Sequence, residues 1–183
     1  MAERRRSGTS TFDRIDALLA NPELYELAAS REVVLVEAIK TAFAPGFQRM
    51  VAVARIGTIG TVRSVDATFT KLVHEGRELH GEDGGSISEL ATYPLLAIVK
   101  LLGTDYVDVR TYSYRPEGSE VELYSRTDIV YKHAIASART GIGVKAEGEL
   151  VVAGTKGYVY VPAPWWLTEY FEARFENQAH NKK

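Results

Sequence analysis

Residues 84–103, GGSISELATYPLLAIVKLLG, are the stretch around which the rest of the chain is organised. Apolar residues recur in it at helical spacing, Ser86 can cap its start, and Gly103 supplies a C-terminal stop. This pattern predicts one long core helix. Glu89 and Tyr93 are four residues apart, so they lie on one face of that helix, close to its N-terminal glycines. We therefore predict that Glu89 and Tyr93 form the functional pair of this chain.

The chain after this helix is almost entirely strand-like. Runs rich in β-branched and aromatic residues alternate with turn signals such as Arg-Pro-Glu-Gly and Gly-Thr-Lys-Gly. These runs predict strands at residues 106–114, 121–131, 134–140, 144–153 and 157–161. Because the connections are short, we expect the strands to pair with antiparallel neighbours.

The chain before the helix mixes both kinds of element. Helices are predicted at residues 12–20, 22–29 and 47–54, and strands at residues 33–36 and 61–71. Asn21 is placed as a helix N-cap and Pro22 as the first helical residue. Helices first and a strand meander later predict an α+β fold, in which an open, mostly antiparallel sheet carries helices packed on one face.

Length and composition limit the function. A chain of 183 residues fits one domain, which we place at residues 21–183 after a partly disordered segment at residues 1–20. Lys+Arg 22 against Asp+Glu 24 leaves no electrostatic reason for a nucleic-acid partner. The absence of cysteine excludes disulfides and thiolate zinc sites, and it is compatible with a cytoplasmic location. No apolar run is long enough to span a membrane.

Common catalytic and binding motifs are missing. The turn at residues 57–62, GTIGTV, follows a predicted helix and precedes a strand, whereas a dinucleotide fingerprint needs the opposite order. The four histidines match no zinc-binding spacing, and no GxSxG serine motif occurs. For Tyr93 two interpretations remain open. It is either a buried ring with a hydrogen-bonded hydroxyl or a general acid or base, and the second role needs a nearby cation.

The last third of the chain is rich in aromatic residues. They are Tyr158, Tyr160, Trp165, Trp166, Tyr170 and Phe171. Such residues pack in a core or on a sheet face, and on an exposed sheet they would form an interface between copies of the chain.

Three segments in this order resemble a known family. They are GTIGTVRSVDATFTK, the helix GGSISELATYPLLAIVKLLG, and GVKAEGELVVAGTKGYVYVPAPWW. Together with VVLVEAIKTAFAP they are similar to the C-terminal substrate domain of the Gfo/Idh/MocA family, named for glucose-fructose oxidoreductase and inositol dehydrogenase. The resemblance covers about residues 21–177 and implies the open sheet, often paired through its open face with another subunit.

The resemblance also implies an activity. It implies NAD(P)-dependent hydride transfer at a secondary alcohol of a sugar, polyol or related compound. In the family, this helix carries an Asp-x-Gly-x-His/Tyr pattern at the substrate site; here the same positions read ELATY, so Tyr93 falls on the acid/base position and Glu89 on the carboxylate position. Lys40 and Trp166 are predicted to line the substrate pocket, which Lys71 and Arg77 could also line.

The chain departs from the family pattern at its start. The family's nucleotide-binding domain and its Glu-Lys-Pro segment are not found, and the first lysine of the chain is Lys40. At its other end the chain stops at ENQAHNKK, where family members continue. We expect either the substrate half of an oxidoreductase, inactive and without bound cofactor unless a separate chain binds the nucleotide, or a non-catalytic domain for self-association or small-ligand binding.

Overall fold

A computed structural model describes residues 22–35, 39–81 and 84–183. The chain divides into two compact units, Met1–Ala38 and Ile39–Lys183. In the described part of the first unit, helix α1 covers Pro22–Ser30, which confirms Pro22 as a first helical residue. The predicted helix at residues 12–20, the cap at Asn21 and the domain boundary after residue 20 lie outside the described residues.

The predicted strand at residues 33–36 is wrong over its described part. Val33, Val34 and Leu35 have no regular secondary structure, and Val34 is 89% exposed. A strand needs a hydrogen-bonded neighbour, and no described strand pairs with this run. Apolar composition alone does not create that neighbour.

The second unit contains helices α2 to α5. They cover Lys40–Phe43, Pro45–Arg55, Ser86–Leu90 and Thr92–Leu102. Phe47, Met50, Val51 and Ala54 of α3 are buried, as their spacing predicts. Short 3-10 helices cover Arg77–Leu79, Trp165–Leu167 and Gln178–His180.

The predicted long helix is interrupted. It forms as α4 and α5 with a break at Ala91, and Gly103 ends it with a φ of 82°. Pro94 has no N–H to donate to the carbonyl of Leu90, four residues earlier, which explains the break. The predicted cap is also wrong, because the buried Ser86 hydroxyl donates instead to Ser125 Oγ at 3.3 Å.

Seven strands form one sheet in the described residues. They are β1 Val62–Thr70, β2 Tyr106–Tyr114, β3 Tyr124–Tyr131, β4 Ile135–Gly141, β5 Leu150–Gly154, β6 Gly157–Val161 and β7 Glu172–Phe175. The order is β2-β3-β4-β1-β5-β6-β7, and every pair is antiparallel except β1 with β4. The α+β fold with an open, mostly antiparallel sheet is therefore confirmed. Residues 121–123 and 144–149 lie outside strands, and β7 was not predicted.

Helices α4 and α5 pack on one face of the sheet. On the central strand β1, Val65 and Ala67 are 0% and 1% exposed beneath α5, and Phe69 on the same face contacts α5. We call this the covered face. The opposite face, the open face, carries Asp66 and the strand residues that pair beside it. The core lies between α3, α5 and the covered face.

Candidate functional site

Glu89 of α4 lies at the centre of a group of charged side chains. Its carboxylate accepts from Lys71 Nζ at 2.8 Å and from Arg77 Nη2 at 3.3 Å. Lys71 Nζ also donates to Glu78 Oε1 at 3.2 Å. Lys71 directly follows β1, and Arg77 and Glu78 belong to a 3-10 helix. We call these four residues the charged cluster.

Tyr93 belongs to a group of three aromatic rings. Phe69 of β1 lies at its centre: its ring stacks on Trp166 with centroids 3.8 Å apart and an interplanar angle of 9°. Tyr93 meets Phe69 edge-on at 5.0 Å. All three side chains are half-buried. We call Phe69, Tyr93 and Trp166 the aromatic cluster.

Backbone geometry brings the two clusters together. Phe69 and Lys71 are two residues apart at the end of β1, so they point to the same face of the sheet. Glu89 and Tyr93 are four residues apart across the junction of α4 and α5, so they also share a face. The end of β1 and the helix pair α4 and α5 thus each contribute one charged and one aromatic residue to the two clusters.

A tyrosine that acts as a general acid or base needs a nearby cation, and Lys71 of the charged cluster is a cation. Partial burial alone would lower its pKa, but the hydrogen bonds and charges of Glu89 and Glu78 outweigh that effect and raise the pKa of Lys71 above its ordinary value. Lys71 therefore stays protonated at neutral pH. It is a fixed hydrogen-bond donor within the charged cluster, held between two carboxylates.

Of the two predicted pocket residues, Trp166 lies within the clusters, whereas Lys40 makes no hydrogen bond or ion pair with them. Trp166 is part of the aromatic cluster, and its ring edge would meet a Cβ at Gly148 at 2.8 Å. Lys40 is exposed at the start of α2 and makes no hydrogen bond or ion pair with a described residue. Its neighbour Thr41 is fully buried and donates from Oγ1 to the Trp166 carbonyl at 2.8 Å.

Sequence reasoning missed Phe69 and Glu78 and treated Lys71 and Arg77 only as residues that could line a pocket. The signal for Phe69 and Lys71 was present in the alternation of β1, which puts both on the face that carries Val65 and Ala67. Nothing local indicated Glu78, because its 3-10 turn lies in a segment whose composition predicts only a loop.

The Gly84-Gly85 turn does not fit a bound pyrophosphate. The Gly84-Gly85 turn before α4 resembles a phosphate-binding entry, but the carboxylate of Glu122 already occupies it. Glu122 Oε1 accepts from the Ile87 amide at 3.0 Å, and the Glu122 carbonyl accepts from the Ser86 amide at 3.1 Å. An anionic pyrophosphate would meet this carboxylate instead of free amides.

Two kinds of feature are absent from the described residues: a metal-binding cluster and a membrane-spanning helix. No group of three or more His, Cys, Asp or Glu side chains is arranged there to hold a metal ion. No helix among these same residues is long and apolar enough to cross a bilayer.

Comparison with known proteins finds relatives of part of the chain. No family model matches the chain. It is 27% identical over 147 residues to human trans-1,2-dihydrobenzene-1,2-diol dehydrogenase, and 28% identical to that of Bos taurus. Each alignment covers 79% of this chain and 44% of the enzyme. The chain spans about half the length of the curated relatives it matches.

Solved structures with the same fold are also oxidoreductases. A 3-ketoreductase from Actinomadura kijaniata, in complex with NADP and TDP-benzene, matches 97% of this chain and 55% of its own at 16% identity and a TM-score of 0.74. An aldose-aldose oxidoreductase from Caulobacter crescentus, complexed with glycerol, matches 92% and 51% at 19% identity and 0.70. The resemblance to the Gfo/Idh/MocA oxidoreductases, over about half of such a protein, is therefore confirmed.

Proposed function

We propose that this chain is the substrate-binding part of an NAD(P)-dependent oxidoreductase that acts on a secondary alcohol of a sugar, polyol or related compound. The observation that carries the proposal is the position of the charged and aromatic clusters, which both lie at the end of β1. Polyhydroxylated molecules have polar edges, which suit the charged cluster, and apolar ring faces, which suit the aromatic cluster. The oxidoreductase relatives and the nicotinamide cofactors in their structures support the reaction class.

The chain's own residues would have distinct roles in that reaction. The Tyr93 hydroxyl exchanges a proton with the substrate oxygen, as a general acid or base. Lys71 donates a hydrogen bond to the substrate, and Glu89 holds Lys71 in position. Trp166 and Phe69 supply the apolar surface for the substrate body. When bound, the nicotinamide cofactor would supply the hydride chemistry, and the described residues do not build its site.

Ligand titration of the isolated chain tests this proposal. Myo-inositol, D-glucose and glycerol are the probes, and ¹⁵N–¹H NMR spectra of the wild type report where they bind. We expect saturable shifts at Phe69, Tyr93 and Trp166. The variants Tyr93→Phe and Glu89→Gln should weaken binding. Tyr112→Phe, on the exposed edge strand β2, is the matched control and should leave binding unchanged.

The outcomes show whether the two clusters bind a ligand or only stabilise the fold. If all three probes leave the amides of both clusters unmoved, the polyhydroxylated substrate class is wrong. If a probe binds the wild type and Tyr93→Phe equally well but Glu89→Gln weakly, Tyr93 has no role in binding the substrate hydroxyl. Thermal unfolding of each variant shows whether a loss of binding reflects a loss of fold.

We further propose that the chain alone neither binds the nucleotide nor turns over substrate, and that a separate nucleotide-binding chain or segment would supply the cofactor. The Glu122 carboxylate at the Gly84-Gly85 turn supports this proposal. Titration with NADH and NADPH, followed by nicotinamide fluorescence, checks it. Saturable binding in the micromolar range would overturn it.

A second candidate function is self-association through the open face. Its residues include the exposed Tyr112, Tyr114 and Tyr158 and the Arg139–Asp66 ion pair at 3.7 Å. Tyrosines and arginines are enriched in interfaces, and paired charges can exchange partners with a second copy. Light scattering should then give twice the 20.2 kDa of one chain, and Arg139→Glu should halve it. A single 20.2 kDa species in the wild type would contradict this function.

We also propose a cytoplasmic location. The complete absence of cysteine supports it, because a small domain in an oxidising compartment would commonly use disulfides. Fractionation of cells that express the chain checks this location, and recovery in a secreted fraction would contradict it.

A further inference from the structure

A cleft lies at the opposite end of β1 from the two clusters. It has a volume of about 560 Å³ and lies between the ends of α3 and α5, the turn at residues 57–61 and the hairpin of β5 and β6. A strand of nine residues is roughly 26 Å long at about 3.3 Å per residue. The cleft is therefore a separate place in the fold, and the function proposed above does not use it.

The ionisable side chains that line this cleft are all basic. They are Arg55 at the end of α3, His133 before β4, and Lys156 in the β5–β6 turn. A further cation is adjacent, because Arg63 Nη1 donates to the His133 carbonyl at 2.8 Å. A cleft lined by charges of one sign concentrates the field and raises the local concentration of oppositely charged solutes.

These cations differ from those on the open face in having no counter-charge. Within the described residues, the side chains of Arg55 and Lys156 make no hydrogen bond and no ion pair. On the open face, by contrast, Arg126 pairs with Asp128 at 2.8 Å and Arg174 with Glu172 at 2.8 Å. No acidic side chain of the described residues lines the cleft, so the positive charge of Arg55 and Lys156 is not neutralised there.

The backbone around the cleft is held in place. Gly57 and Gly60 adopt φ values of 84° and 80°, which L side chains rarely do, and a Cβ at Gly60 would collide with Thr155 Oγ1. The Thr61 amide donates to the same Oγ1 at 3.1 Å, and the Lys156 amide donates to the Ile59 carbonyl at 2.9 Å. These bonds tie the turn to the hairpin, so the cleft is largely formed before any ligand binds.

Two features indicate the kind of ligand. The C-terminal ends of α3 and α5 lie at the cleft, and each is equivalent to roughly half a negative charge. The two formal charges of Arg55 and Lys156 therefore still leave a positive excess. Leu101, Leu102 and Val62 add an apolar lining beneath the basic rim. A small anion with an apolar body would fit both the positive charge and the apolar lining of the cleft.

We propose that this cleft binds a small organic anion, in which a phosphate or carboxylate group contacts Arg55 and Lys156 while an apolar body lies against Leu101, Leu102 and Val62. Charge-assisted hydrogen bonds from lysine and arginine suit both oxyanions. The site is independent of substrate binding at Lys71 and Tyr93.

Phenyl phosphate is the probe, and ¹⁵N–¹H NMR spectra report where it binds. We expect saturable shifts of the amides of Gly60, Thr61 and Lys156. Each of Arg55→Gln and Lys156→Gln should weaken binding roughly three- to fivefold, the size expected for one partly exposed charge contact. Arg115→Gln is the matched control, since Arg115 is exposed and unpaired among the described residues, in the turn between β2 and β3.

Further probes separate the parts of the proposal. Benzyl alcohol has the ring without the charge and should bind about tenfold more weakly. Inorganic phosphate has the charge without the ring and should also bind more weakly; equal affinity would refute the apolar contact. Phenylacetate tests whether a carboxylate replaces the phosphate. The proposal is overturned if shifts are absent, if they spread to the amides around Arg115, or if the double variant of Arg55 and Lys156 binds as the wild type does.

Discussion

The two faces of the central strand β1 carry opposite kinds of residue, although they alternate along the same nine positions. Val65 and Ala67 on the covered face are almost completely buried, whereas Asp66 between them keeps a side-chain exposure of 38% and pairs with Arg139. The helices above the covered face exclude water, so a charge there would need a partner within the protein. The charged cluster begins at Lys71, where the strand has ended. At that edge, charge lies next to apolar packing.

The largest predicted effect on stability is the loss of Trp165. This ring is fully buried, packs near Phe47 at 6.3 Å, and donates from Nε1 to the Thr68 carbonyl at 2.9 Å. Trp165→Ala should lower the free energy of unfolding by about 3–5 kcal/mol, because it leaves a cavity and an unpaired carbonyl. Urea denaturation followed by circular dichroism measures the loss.

The matched control for Trp165 is Tyr158→Ala on the open face. Tyr158 is 37% exposed, so its removal should cost well under half as much. Equal losses for Trp165→Ala and Tyr158→Ala would contradict the distinction between the two faces.

A smaller effect is predicted at Glu89, at the edge of the covered face. Glu89→Gln breaks the ion pairs with Lys71 and Arg77 and should lower the free energy of unfolding by about 1 kcal/mol, a value limited by the solvent at Lys71. Asp108→Asn on the open face is the comparison, because the Asp108–Arg110 pair is much more exposed. It should change stability less than Glu89→Gln does. The opposite order in chemical denaturation would show that the charged cluster is not the stronger of the two.

The smallest effect concerns the pH dependence of the charged cluster. A hydrogen bond from its own backbone amide, then Lys71, lowers the pKa of Glu78 below its ordinary 4.5. Glu78 thus stabilises the fold above pH 4.5, and this contribution is lost as the pH falls through the lowered value. Since the pKa of Lys71 is raised above 10.5, its contribution is complete below pH 10.5 and is lost at higher pH.

The free energy of unfolding measured as a function of pH tests both predictions, the acid loss at Glu78 and the alkaline loss at Lys71. Glu78→Gln should flatten the acid side of the profile, whereas Glu75→Gln, an exposed residue of the same loop, should not. An unchanged acid limb in Glu78→Gln would mean that the Glu78–Lys71 bond contributes nothing to folding.

Much of the fold could be predicted because local patterns act over a few residues. The spacing of Phe47, Met50 and Ala54 predicted the buried face of α3, and the alternation from Thr61 predicted β1. Errors occurred where the outcome depends on a distant partner. Residues 33–36 needed a neighbouring strand for their predicted structure, and the Ser86 hydroxyl bonds to β3 instead of capping its own helix.

The candidate site was predictable only in part. The four-residue spacing of Glu89 and Tyr93 is local, so the sequence was enough to predict that they share a helical face. Lys71, which pairs with Glu89, is 18 residues from it in the sequence, and Trp166 is 97 residues from Phe69. No periodicity reaches across such separations. Only the packing of α4 and of the segment around Trp166 against the end of β1 brings these side chains together.

By itself, the sequence determined the class of fold and the resemblance to oxidoreductases, and it predicted that Glu89 and Tyr93 share a helical face. The tertiary structure alone decided the parallel pairing of β1 with β4, the position of Lys71 between two carboxylates and the basic cleft at the other end of β1. The reason is physical: propensity and periodicity act between neighbours in the chain, whereas charge pairing and ring stacking depend on distances in space, which folding alone sets.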